Sequence, residues 1–200
     1  GFKKNALIDF HAGVLPVYDK VSFEEKKKEN LVNQLGILHA LKDPAQNGAP
    51  VDGPHYVTRD TPRMEDLLGA TINMGWSPGP QYEELFSPVV ALHTTQKDAP
   101  ENAGFLRPGS HRAYVLLTDA EDGTQDWTES QFMNFLITQA GGDKSKVSVY
   151  AVVIPSNEKA SNSTPNCRRD YGNQSPTKIE SVAAWTGGKI LNLCSRTFGD

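Results

Sequence analysis

Two nearly unbroken apolar runs organise this chain: residues 113–117, which stop at Thr118 and Asp119, and residues 147–154, which stop at Pro155. Runs of this length without polar alternation are the pattern of strands buried on both faces of a parallel sheet. Between them the period changes. Phe132, Phe135, Leu136 and Ile137 recur at helical spacing behind Thr128, whose hydroxyl suits an N-cap, and Gly141-Gly142 ends the pattern, so a helix is expected over 128–140. Another helix is expected over 177–185, then a Thr186-Gly187-Gly188 turn and a last strand over 189–194. Strand, helix, strand, helix, strand in that order predicts an α/β fold of right-handed βαβ units, with a largely parallel sheet covered by helices on both faces.

The earlier half is less regular. Residues 8–17 alternate and stop near Pro16, predicting a strand, and 55–59 predict a short strand pairing antiparallel with it at a sheet edge. Ser22 with Glu25 forms a capping-box pattern ahead of a charged run that favours helix. Beyond Asn30 the pattern loosens, and 20–54 reads as an insertion, partly helical at best, with 43–54 a Pro/Gly/Asn/Asp loop. Thr61 and Pro62 open a helix to about Met74, and Gly75-Trp76-Ser77-Pro78-Gly79-Pro80 breaks it. A helix over 82–93 should be kinked at Pro88, and 97–109 form a loop.

Composition narrows the partners. Two hundred residues suffice for one core, so a single domain over 1–200 is expected. The net charge of −4 argues against nucleic acid or an anionic membrane as the main partner. No apolar run approaches the roughly 20 residues that a membrane span requires. Cys167 and Cys194 show no zinc spacing; they are either unrelated thiols or a disulfide around one helix and one strand, which in turn would mean an oxidising compartment.

Candidate chemistry gathers after the first apolar run, at Asp119, Glu121 and Asp122. Open α/β sheets bind ligands beyond the carboxyl ends of their strands, and clustered carboxylates need a cation or hydrogen-bond donors to offset their repulsion. Two readings stand: a metal rim, or a solvated acidic turn leading into a helix N-terminus. His11 lies on the polar side of its strand with no nucleophile nearby in sequence. Walker and Gly-x-Ser-x-Gly motifs are absent, and Gly123 is out of register for a calcium loop. Asn162-Ser163-Thr164 and Asn173-Gln174-Ser175 match the glycosylation sequon.

Three segments together carry a resemblance. Leu116-Leu117-Thr118-Asp119-Ala120-Glu121-Asp122-Gly123, the strand Lys146-Val147-Ser148-Val149-Tyr150-Ala151-Val152-Val153, and Ala183-Ala184-Trp185-Thr186-Gly187-Gly188-Lys189-Ile190 resemble the later half of a von Willebrand factor type A domain. Ile8-Asp9-Phe10-His11-Ala12-Gly13-Val14 resembles the second strand of bacterial members, and Asn102-Ala103-Gly104-Phe105-Leu106-Arg107-Pro108 their lead-in to the central strand. The paired cysteines are similar to those of secreted or lipoprotein-type members.

The resemblance implies a doubly wound, mostly parallel sheet with one antiparallel edge strand, a Cys167–Cys194 disulfide, and a metal-ion-dependent adhesion site. In that family an Asp-x-Ser-x-Ser motif, a Thr from a later loop and an Asp after the central strand hold Mg2+ or Ca2+, and the partner's carboxylate completes the shell. Asp119 matches the last position, Ser77 takes the Thr position, and Glu121 and Asp122 fall at the rim. No Asp-x-Ser-x-Ser occurs; Asp143-Lys144-Ser145-Lys146-Val147-Ser148 lacks the final serine in register and precedes a strand. The family's first strand and most of its first helix are thus expected to be missing, with 1–5 the tail of that helix, and to be supplied by the same precursor or by another chain unless the core is rearranged. The function implied is an extracytoplasmic protein-binding or adhesion module, periplasmic, cell-surface or secreted, and not an enzyme. The alternative is a metal-assisted hydrolase using Asp119, Glu121 and Asp122, for which two-metal chemistry would need more converging ligands.

Overall fold

The computed structural model describes residues 8–18, 35–73, 83–156 and 175–195. In chain order these form β1 (His11–Gly13), β2 (Lys42–Asp43), β3 (Ala49–Pro50), β4 (Tyr56–Thr58), α1 (Met64–Ile72), α2 (Phe86–His93), β5 (Arg112–Leu117), α3 (Glu129–Gln139), β6 (Val147–Val153), α4 (Thr177–Trp185) and β7 (Ile190–Asn192). The protein is mixed α/β and divides into two compact units, one of Gly1–Gln81 with Ser87–Arg107, the other of Tyr82–Phe86 with Pro108–Asp200. The expectations placed on Ser22, Glu25, Ser77 and Cys167 lie outside the described residues. Among the described residues no helix is long and apolar enough to cross a membrane.

In the first unit β1 pairs antiparallel with β4, Ala12 opposite Val57. The ladder is shorter than the alternation over 8–17, because the Val14 carbonyl accepts the His39 N–H instead, at 2.8 Å. Residues 43–54 are more than a loop. Asp43 opposes Ala49 in a hairpin, and its carboxylate accepts the Ala45 N–H at 2.9 Å, which sets the tight turn Pro44–Gln46. The Arg63 guanidinium, 2.9 Å away, holds the Asp43 carboxyl below its ordinary range. Helix α1 starts later than Thr61 suggested, since the Thr61 hydroxyl accepts the Thr58 N–H and Arg63 sits at φ +55°, so helical geometry begins at Met64. Leu41, Val57, Met64 and Leu67 form the core. Buried Asn102 accepts the Leu38 N–H and donates to the Gly36 and Gln96 carbonyls, all within 2.9 Å, so its burial leaves none of these groups unpaired.

In the second unit β5, β6 and β7 form a three-stranded parallel sheet in that order, Leu116 beside Ala151 and Val152 beside Leu191. The Thr128 hydroxyl and the Gln131 side chain form a capping box that starts α3. Helix α4 packs on β6 and on α3. Phe132, Leu136, Ile179, Val182 and Ala183 are buried on these helices, as are Val147, Val149, Ala151 and Val153 on β6. At Gly188 the backbone passes so close to Val149 that a Cβ would lie 1.8 Å from its carbonyl oxygen, so the turn after α4 admits only glycine. Pro88 falls in the first turn of α2, where its missing N–H has no intrahelical acceptor, and the helix runs on to His93 without the expected break.

One expectation is corrected. The run 113–117 is not buried on both faces: among the described residues β5 is the outermost strand of its sheet, with Val115 63 % and Leu117 45 % exposed while Leu116 between them is covered. Its apolar composition reflects a face that nothing among the described residues covers.

Candidate functional site at the carboxyl end of β5

Thr118 continues the ladder, its N–H donating to the Val152 carbonyl at 3.1 Å. Its buried hydroxyl accepts the Ala120 N–H and donates to the Glu83 carboxylate, fixing the turn that delivers Asp119 to the surface. Glu83 is itself half-buried. Burial raises its carboxyl above the ordinary range, the Thr118 hydrogen bond partly offsets this, and the negative charge of Asp119 adds to the rise. An acid whose folded pKa lies above its unfolded one costs the fold stability as pH climbs from the unfolded value through the raised one. A cation next to Glu83 and Asp119 would remove that cost.

The rest of the acidic cluster turns elsewhere. Glu121 accepts the Lys178 N–H, in the first turn of α4, at 2.9 Å and the Thr177 hydroxyl at 3.1 Å, while its other oxygen accepts the Asp122 N–H. Asp122 is 2 % exposed. Its Oδ1 accepts the Leu85 N–H at 2.8 Å, the Phe86 N–H at 3.2 Å and the Thr124 hydroxyl at 2.8 Å, and its Oδ2 is buried with no hydrogen-bond partner among the described residues. The Lys178 ammonium donates to the Asp122 and Thr124 carbonyls at 3.3 and 3.5 Å.

Of the residues named from sequence, Asp119 therefore stands at the rim, while Glu121 and Asp122 fasten the starts of α4 and α2. Glu83 was not found from sequence. It lies 35 positions from the Thr118 that orients it, and a Glu-Glu pair ahead of a helix carries no distinctive signal. The donors at this end are carboxylate and hydroxyl oxygens, the kind a hard cation prefers. Among the described residues no three His, Cys, Asp or Glu side chains converge closely enough to hold an ion, so Asp119 and Glu83 would by themselves offer only part of a shell.

His11 is used structurally, its ring stacked on Tyr56 at 4.6 Å and its Nδ1 3.2 Å from the Phe105 carbonyl. Cys194 is disulfide-bonded, and its N–H donates to the Asn192 side chain. Mass analysis of the unreduced native protein is expected to find no free thiol, and reduction to lower stability by about 3 kcal/mol through loop-closure entropy. Two free thiols would exclude the bond. No protein-family model matches the chain, and no curated protein and no solved structure matches it.

Proposed function

We propose that this chain is an extracytoplasmic protein-binding module of the von Willebrand factor type A kind, not an enzyme, that engages a partner at the carboxyl end of β5. The parallel β5–β6–β7 sheet with α3 and α4 as its crossovers is compatible with that fold, and the bonded Cys194 suits an oxidising compartment. The observation that carries the reading is the desolvated Glu83 carboxyl beside Asp119 on a sheet edge where α/β proteins bind ligands. Mg2+ or Ca2+ would be held there by Asp119, with Glu83 next to it, and an acidic group of the partner would fill what these two leave open. A hydrolase gains no support, because the carboxylates of Glu121 and Asp122 already receive backbone N–H groups.

Asp119→Ala tests this. Asp119 is exposed at a strand end, so the variant should keep the wild-type stability within about 0.5 kcal/mol. Calorimetric titration with Mg2+, Ca2+ and Mn2+ should show cation binding by the wild type and none by the variant. Unchanged binding, or an unfolded variant, would remove the assignment.

A further inference from the structure

We propose that Asn47 is a site of spontaneous deamidation that the β2–β3 hairpin keeps closed, so that opening of this hairpin is converted into a permanent covalent change. The proposal concerns the first unit alone and requires neither a cation nor a partner. Asn47-Gly48 is the single Asn-Gly pair of the chain. In the reaction the Gly48 backbone nitrogen attacks the Asn47 side-chain carbonyl carbon and a new C–N bond forms. The side-chain amide nitrogen leaves as ammonia, taking the proton that Gly48 gives up. The resulting succinimide takes up one water and opens at either carbonyl, to aspartate or to isoaspartate. Glycine hinders the attack least among following residues, because it has no Cβ.

The turn asks for the same two residues. Asn47 lies at φ +55°, ψ +32° and Gly48 at φ +78°, successive left-handed positions that Asn and Gly occupy at little steric cost. Asn47 is exposed, so water reaches its amide. What blocks the reaction is the backbone. In the left-handed region Cβ crowds the following carbonyl oxygen, so the next nitrogen, on the other side of that carbonyl carbon, stands nearly opposite Cβ. Attack requires the Gly48 nitrogen to swing round to the side of Cβ. Its N–H is held by the Asp43 carbonyl at 2.8 Å, and that bond must break first.

Asp43 is the fixed point of the hairpin. Its carboxylate accepts the Ala45 N–H at 2.9 Å, the Gln46 amide at 3.3 Å and two bonds from the Arg63 guanidinium at 2.9 and 3.3 Å. Deamidation therefore proceeds through the opened hairpin, at a rate set by how often it opens. Isoaspartate lengthens the backbone by one carbon between residues 47 and 48. The Gly48 N–H then no longer meets the Asp43 carbonyl, and the turn does not close again.

The 200-residue chain is incubated in mildly alkaline buffer, and the proteolytic fragment carrying residue 47 is followed by mass spectrometry that separates Asn, Asp and isoaspartate. The urea-unfolded chain should convert, and the native chain should convert at least roughly a hundredfold more slowly. Arg63→Asn keeps a residue that tolerates φ +55° but is too short to reach Asp43, and should raise the native rate roughly tenfold. Hydrogen exchange at the Gly48 amide, measured in the wild type at urea concentrations below its unfolding transition, should rise in step with the Asn47 rate, which tests the gate even where Arg63→Asn does not fold. A native chain that converts as fast as the unfolded one, an unfolded chain that keeps Asn47, a folded Arg63→Asn no faster than wild type, or a conversion rate that does not follow Gly48 exchange would each overturn the proposal.

Discussion

Asp122→Ala is expected to destabilise the second unit by about 3 kcal/mol, because it strips the acceptor from three donors at once. The Leu85 and Phe86 N–H groups stand where α2 begins and have no intrahelical partner, and the Thr124 hydroxyl is buried with them. A methyl group in place of the carboxylate leaves each unsatisfied in a dry site. Asp122→Asn should recover most of the loss, since the amide oxygen can still accept all three. Trp127 and Trp185 both lie in the second unit, so urea unfolding followed by fluorescence in a Trp76→Phe background reports on that unit alone. A loss below about 1 kcal/mol for Asp122→Ala would mean that these donors find other partners and that Asp122 is not the fastener. The same pair of variants bears on the proposed site, because Gly123, next in sequence, donates its N–H to the Glu83 carbonyl at 2.7 Å. Losing Asp122 should therefore loosen the segment that holds the Glu83 carboxyl near Asp119.

How far the sequence discloses this arrangement depends on whether a residue's partners are near it in the chain. Helix α4 spans the predicted residues 177–185, because Trp185-Thr186-Gly187-Gly188 both stops a helix and forces the close passage at Val149. The Thr128 cap was legible for the same reason, its partner Gln131 lying three positions away. Antiparallel pairing of β1 with β4 followed from two short alternating segments. The hairpin over Lys42–Pro50 was hidden by its own turn residues, which read as loop although Asp43 and Arg63 tie it down across 20 positions. Edge or centre was illegible for β5, since an apolar run records a need for cover but not the cover itself. The acidic cluster shows the limit most plainly. Asp119, Glu121 and Asp122 look alike in sequence, and what separates them are donors 37 and 57 positions away.

Phe132→Ala should be the most damaging single substitution in the second unit, at about 4 kcal/mol, the range for emptying a fully buried aromatic site. Phe132 is completely buried and lies flat against Phe86, ring centroids 4.1 Å apart and planes within 7°. Phe135, one position before Leu136 on the same helix, is only partly buried and meets Trp127 edge-on at 5.4 Å, so Phe135→Ala should cost less than half as much. The contrast tests whether α3 is held by its buried stripe or by aromatic content in general; equal losses would favour the second. Phe86 is gripped twice, its ring by Phe132 and its N–H by the Asp122 carboxylate. Once either grip is lost the other holds a segment already loosened, so Asp122→Ala and Phe132→Ala should be less than additive when combined, with an interaction energy of about 1 kcal/mol or more. Strict additivity would show that the ring stack and the carboxylate clamp act on independent parts of the unit, and the start of α2 could then no longer be the element that joins the core to the acidic turn.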